Sequence, residues 1–195
     1  MIEYLQFHLP VLPIVIPLMI APLCVLLGSR HVANVLSLLA CWVTFGLSLL
    51  LVARVCEVGE ISYFLGGWKP PYGIEYAIDP LNSFLMAMIS GMGAIVLTYS
   101  GPSLRDEVPQ SKLYLFYSLY LLCMTGLMGM CATGDLFNVF VFLEISSLST
   151  YALISLGRTR RAPLAAFQYL IMGTIGATFL LIGICLLYTS PSPRD

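Results

Sequence analysis

Glu144 is the residue in this sequence whose type and position most call for a chemical explanation. It lies inside an apolar run, with Leu136–Leu143 before it and Ile145–Leu156 after it. Placing a charge near the centre of a bilayer costs about 2.5 kcal/mol or more, so such a residue normally faces the protein interior, a water-filled cavity or a counter-ion. On a helix turning about 100° per residue, Ser147, Tyr151 and Ser155 fall at i+3, i+7 and i+11 from Glu144, on one face. A stripe of carboxylate and hydroxyls is what a proton wire through bound water needs. Burial disfavours the charged form of a carboxyl and a neighbouring cation favours it, so a site held between the two can load and release a proton. The plainer alternative is a structural glutamate, hydrogen-bonded to a neighbouring helix and never titrating. No Lys, Arg or His lies inside any apolar segment except Lys112 at a segment end. A counter-ion for Glu144 is therefore expected from further chain or from another subunit.

Other polar residues have simpler readings. Asp135 precedes Leu136-Phe137-Asn138 and fits a helix N-cap, with an entry point for ions as the alternative. Asp79 before Pro80 reads as the cap of an earlier helix. Tyr114, Tyr117, Ser118 and Thr125 form a polar stripe that either lines a hydrated interior or belongs to an interfacial aromatic belt. Gly173, Gly176 and Gly183 suggest close helix packing in lipid. The cysteines (Cys24, Cys41, Cys56, Cys123, Cys131, Cys185) form no CxxC pair and no cluster with His8 or His31, so they read as small apolar side chains. Both histidines lie near membrane edges, with no partner evident in the sequence. There is no phosphate-binding glycine loop, dinucleotide fingerprint, or haem or iron–sulfur spacing, and the sequence implies no cofactor and no metal.

The elements that position these residues follow from composition. Of 195 residues, 59% are apolar and 10% charged, with a mean hydropathy of +0.92. Soluble domains carry about 25% charged residues to wet their surface. A chain this poor in charge has a lipid-facing surface instead, and its net charge of −1 gives no sign of nucleic acid as a partner. A span needs about 20 apolar residues. Six segments qualify, 9–27, 32–53, 80–100, 112–133, 136–156 and 163–188, so the expected fold is all-α and polytopic, with about six transmembrane helices in one transmembrane domain over 1–188. The breaks are Gly28-Ser29-Arg30-His31, a longer loop from Arg54 to Asp79, the polar stretch Gly101 to Gln110, Gly134-Asp135, and the arginine-rich Gly157 to Ala162. The first segment begins with Glu3 rather than a basic run and lacks a small-residue cleavage site, unlike a signal peptide.

Arg30, Arg105, Lys112, Arg158, Arg160 and Arg161 fall on one side of this arrangement, and Arg54, Lys69 and the tail's Arg194 on the other. Basic loops stay in the cytoplasm, which predicts a multi-pass protein of the cell inner (plasma) membrane with its N-terminus outside. The Arg158–Arg161 cluster is explained by this topology, with a partner or anionic lipid as an alternative ligand. Residues 189–195, Thr-Ser-Pro-Ser-Pro-Arg-Asp, match no helix or cap logic and look like adapter read-through in an assembled sequence, which suggests a longer natural chain.

Gly134-Asp-Leu-Phe-Asn-Val-Phe-Val-Phe-Leu-Glu144 resembles the fifth-helix motif of the antiporter-like proton-translocating subunits found in respiratory complex I and in Mrp-type cation/proton antiporters. Gly66-Gly67-Trp68-Lys-Pro-Pro-Tyr-Gly73, Ile78-Asp79-Pro80-Leu81 and Ala166-Phe167-Gln168-Tyr169-Leu170 are similar to the same family, and the glycine–tryptophan loop and Gly-Asp-Leu-Phe-Asn to the D-type subunit of the Mrp antiporters. The resemblance covers the chain up to Tyr188. It implies an N-terminal fragment of an inverted-repeat transporter of about fourteen helices. Glu144 matches the family's fifth-helix glutamate, which pairs with a lysine on the seventh helix. The resemblance further implies other membrane subunits as partners, with protons and a monovalent cation such as Na⁺ as cargo. The leading expectation is thus a proton-translocating subunit of a Na⁺/proton antiporter. The second is a proton-pumping subunit of an NADH-quinone oxidoreductase or related redox complex, in which any enzymatic step lies outside this chain. A purely structural subunit is the third.

Overall fold

Backbone amides in hydrocarbon have no water to bond, so long apolar runs close their hydrogen bonds internally as helices. The computed structural model describes residues 8–68 and 73–189. Its elements are α1 (Leu12–Leu27), α2 (Arg30–Val58), β1 (Ile61–Phe64), β2 (Glu75–Ile78), α3 (Pro80–Tyr99), α4 (Gly101–Glu107), α5 (Leu113–Ala132), α6 (Leu136–Ser155) and α7 (Ala162–Thr189). Among the described residues five helices, α2, α3, α5, α6 and α7, are long and apolar enough to cross a membrane. The chain is a multi-pass membrane protein.

The structure departs from the sequence reading in four places. The first segment forms a helix of 16 residues. At about 1.5 Å per residue that is about 24 Å, short of about 30 Å of hydrocarbon. The Arg54–Asp79 loop is largely ordered: α2 continues to Val58, and β1 pairs antiparallel with β2, Ile61 opposite Ile78 and Phe64 opposite Glu75. These short segments carry aromatic and β-branched residues in alternation, and Tyr76 and Ile78 of β2 point into the core. The stretch from Gly101 is the helix α4, started by Pro102 in its first turn and anchored by buried Leu104. Thr189, grouped above with the tail, closes α7. The rest of that tail with Arg194, Glu3 near the start, and Lys69 to Tyr72 of the glycine–tryptophan loop lie outside the described residues.

α5 is the hub of the bundle, packing against α1, α2, α3 and α6, while α2 packs on α1 and α3, and α7 packs chiefly on α6. The buried faces are small rather than bulky. α2 presents Ser37, Ala40, Cys41, Thr44 and Ser48, and α3 answers with Ser83, Ala87, Ser90, Gly91 and Ala94. Lipid tails are as apolar as leucine, so helices in a membrane gain by approaching closely rather than by hiding large apolar groups. Large side chains accordingly point outward, as with Leu39, Met92 and Phe179.

The tightest approach joins α5 to α6. A Cβ on Gly126 would lie 2.7 Å from the carbonyl oxygen of Phe142 and from the backbone nitrogen of Ser146. One on Gly129 would collide with the Phe142 ring. Overpacking of a fitted core costs about 1–3 kcal/mol. Gly126→Val is expected to lower the thermal midpoint of the purified full-length subunit by several degrees, whereas Gly46→Val, where an added Cβ meets nothing within 4 Å, should leave it in place. Equal midpoints in a detergent melt would mean that this contact does not set the helix spacing.

Candidate proton-transfer site

The site is built upward from the start of α6. Asp135 caps the helix, its carboxylate accepting from the amides of Phe137 at 3.4 Å and Asn138 at 3.2 Å. Thr133 Oγ1 accepts from the Asp135 amide at 3.4 Å and from Asn138 Nδ2 at 2.9 Å. The Gly134 amide donates to the Glu75 carbonyl at 3.0 Å, and Tyr76 pairs with Thr133 across an isolated bridge. Tyr76 also sets its ring against that of Phe142, centroids 6.5 Å apart. The hairpin therefore clamps the first turns of α6. At the other side of the cap, the Tyr188 hydroxyl donates to Asp135 Oδ1 at 2.6 Å and ties in the end of α7.

Glu144 is the ninth residue of α6, counting Leu136 as the first. It stands about 12 Å along the helix axis from that residue at about 1.5 Å per residue. It is half-buried, and its carboxylate makes no hydrogen bond or ion pair with a described residue. Phe142 and Ser146, on the far side of the helix from it, are the residues packed on α5. Tyr151 marks the other face. Its ring meets that of Tyr169 edge-on at 5.2 Å, and its hydroxyl sits where a Cβ on Gly173 would go. Glu144 shares this α7-side face at i and i+7. α7 itself carries no Lys, Arg or His, so the described neighbours of this face supply no cation.

The structure brings together part of the stripe read from the sequence. Ser147 and Tyr151 lie half-buried on the face of Glu144, and their hydroxyls bond no described residue. Ser155 is exposed at the helix end and turns back to the Ala152 carbonyl at 2.7 Å. Asp135 lies at the helix start, one end of the span away from Glu144.

Sequence reasoning overlooked a second polar set on the opposite face. Cys123 Sγ of α5 lies 3.6 Å from Ser146 Oγ and 3.4 Å from Thr150 Oγ1. Thr150 and Ser149 also donate to carbonyls of their own helix at 2.9 and 2.6 Å. The signal was present in the sequence as Ser146, Ser149 and Thr150, three and four residues apart. The polar stripe of α5 serves packing rather than hydration: Ser118 donates to the Ala21 carbonyl at 2.7 Å, and Thr125 to the Leu121 carbonyl at 2.8 Å. His8, for which the sequence offers no partner, has its Nδ1 2.8 Å from the Tyr63 hydroxyl. All six cysteines are free thiols, and among the described residues no group of acids, cysteines and histidines is arranged to hold a metal.

Residues 132–192 match the family model described as NADH:quinone oxidoreductase/Mrp antiporter, transmembrane. The N-type subunit of an NADH-quinone oxidoreductase from Desulforudis audaxviator is 44% identical across 93% of this chain and 36% of its own length. The D-type subunit of a Na⁺/H⁺ antiporter from Bacillus subtilis is 32% identical across 91% of this chain and 36% of its own. Among solved structures, an archaeal membrane-bound sulfane sulfur reductase superposes with a TM-score of 0.85 and 29% identity, over 93% of this chain and 37% of the other. The chain is thus similar to the antiporter-like membrane subunits of quinone oxidoreductases and Mrp antiporters. The Mrp complex of a Dietzia species shares the fold, with a TM-score of 0.84 at 20% identity, over 96% of this chain and 35% of the other. The chain spans about a third, 36%, of the length of the curated relatives it matches.

The clamp on α6 carries its own pH signature. Burial pushes the Tyr76 phenol up to about 12, above the ordinary tyrosine value of about 10. A raised folded-state value adds stability that is whole below pH about 10 and is lost as pH rises toward about 12, because the unfolded chain ionises first. Tyr76→Phe is expected to flatten that part of the loss in thermal melts between those two pH values; an unchanged alkaline slope would show that the phenol stays accessible to water.

Proposed function

We propose that this chain supplies part of the proton path of a multisubunit membrane complex, with Glu144 the group that carries the proton. The observation that carries this reading is a single acid at mid-span that is free of any helix–helix hydrogen bond to a described residue. A structural glutamate would be expected to spend its carboxylate on such a bond, since an unsatisfied polar group in hydrocarbon is costly. Ser147 and Tyr151 extend the polar track from Glu144 toward the arginine-bearing end of the bundle. The counter-ion and the second half of the path come from chain or subunits packed against the α7 side.

Two drivers fit this path. In the first, proton movement is coupled to outward transport of a monovalent cation such as Na⁺; the likeness to D-type antiporter subunits, one of them 32% identical, favours it. In the second, a redox reaction elsewhere in the complex drives the same path; the 44% identity to an N-type quinone oxidoreductase subunit favours that. The full-length protein in its complex, reconstituted in vesicles, separates them. A Na⁺ gradient moves protons in the first case, and an electron donor with a quinone moves them in the second. In either, Glu144→Gln is expected to lower proton transport at least about tenfold, a loss of about 1.4 kcal/mol or more in the step it serves, with assembly intact. Normal transport by an assembled Glu144→Gln complex would remove Glu144 from the path.

We also infer that the N-terminus faces outward in the cell's inner membrane. Arg30 of the α1–α2 turn bonds Gln110 before α5 at 2.6 Å, and the Arg158 amide after α6 bonds the Glu107 carbonyl of α4 at 3.0 Å. Six basic residues thus gather at one end of the bundle, the end that basic loops keep in the cytoplasm. With the six native cysteines replaced by serine or alanine, an Arg160→Cys variant should react with a membrane-impermeant maleimide in inverted vesicles and resist it in intact cells; the reverse pattern would turn the topology over.

A further inference from the structure

We propose that the basic end of the bundle carries a site for the phosphodiester headgroup of an anionic membrane lipid, in the hollow between the α1–α2 turn, α4 and the start of α5. The hollow has about 60 Å³ of room and is lined in its polar part by Arg30, His31, Asn34, Arg105 and Tyr117. A single water needs about 10–15 Å³ on the same measure, so a group of phosphate size is accommodated.

The lining charge is of one sign. Asp106 and Glu107 follow Arg105 on α4, yet neither lines the hollow. Arg30 is held in place by two contacts, Nη1 to Gln110 Oε1 at 2.6 Å and Nε to His31 Nε2 at 3.2 Å. A guanidinium has five N–H donors, so three remain for an anion. With Nε2 accepting, the neutral His31 ring carries its proton on Nδ1 and adds another donor. Arg105 is exposed, and two guanidinium groups facing one hollow repel each other until an anion lies between them. The Ser29 side chain leaves the first turn of α2 uncapped, so free backbone N–H groups add to the same field.

The surroundings select a lipid over a soluble anion. The hollow lies where α2 and α5 begin and α3 ends, at the level of the membrane surface. Its apolar floor is Leu104 and Leu113. Leu26 and Leu27 beside the turn are 80% and 54% exposed, which gives acyl chains an apolar wall to follow. Basic pockets between transmembrane helices are suited to anionic headgroups on general electrostatic grounds.

Native mass spectrometry of the purified complex, titrated with phosphatidylglycerol or phosphatidylcholine, tests this. Phosphatidylglycerol retention is expected to weaken about fivefold with Arg30→Gln or Arg105→Gln and about thirtyfold with both. Arg54→Gln at the opposite end should change nothing. Retention unchanged in the double variant would overturn the site. Displacement of the lipid by millimolar inorganic phosphate would reassign it to a free anion, and loss of a partner subunit with lipid retention intact would reassign it to an acidic protein segment. A second measurement needs no variant: hydrogen exchange of the wild-type complex should slow in residues 28–34 and 101–107 in phosphatidylglycerol discs relative to phosphatidylcholine. Equal exchange in both lipids would likewise overturn the proposal.

Discussion

The constraint on which this structure depends is that hydrocarbon offers no hydrogen-bond partners. It forces the long apolar segments into helices, and it also disciplines their side chains. Ser48, Ser90, Thr98, Thr125 and Ser149 each return a hydroxyl proton to a carbonyl of their own helix, four residues back. Polar residues satisfied in this way sit inside the bundle without needing water, and their small size lets helix backbones come close. Thr44 is the buried exception, its hydroxyl unpartnered among the described residues. Glu144 is the exception of consequence, since a carboxylate has no proton to return when ionised and cannot be quieted by a backbone carbonyl.

The position of that carboxylate follows from two attachments of α6. Close contact at Gly126 and Gly129 fixes the face that α6 turns toward α5, and by helical geometry this leaves Glu144 on the face turned to α7. The hairpin and Asp135 fix its height, by clamping the first turn from outside the bilayer. α7 covers little of its own surface against the rest of the chain; only 6% of its apolar core stretch is buried. The face bearing Glu144 therefore lies on the side of the bundle where further helices have room to pack. A carboxylate on such a face has its environment set jointly by this chain and by whatever packs against that side.

Charge is sorted along the bundle in the main, with Asp106 and Glu107 at the basic end and Arg54 at the acidic end as the exceptions. Arg30, Arg105, Lys112 and Arg158–Arg161 lie at one end, while Glu57, Glu60, Glu75, Asp79 and Asp135 lie at the other. The same sorting that orients a chain in the membrane leaves the basic end facing anionic headgroups.

Composition and segment length alone determined that this is a helical membrane protein, because only helices or closed barrels satisfy a backbone in lipid. They also determined that Glu144 is exceptional, because no other ionisable residue stands deep in a span. The motif from Gly134 to Glu144 was enough to point to the family. What the tertiary structure decided was which polar residues share the face of Glu144 and which serve packing. Ser147 and Ser146 are neighbours of the same type in sequence, yet one shares the carboxylate's face and the other meets Cys123 of α5. The hairpin, too, was hidden in what read as a loop, since its two strands of four residues become ordered by capping the bundle and pairing with Thr133 and Gly134. Periodicity assigns residues to faces of one helix, but only packing between helices says what each face meets.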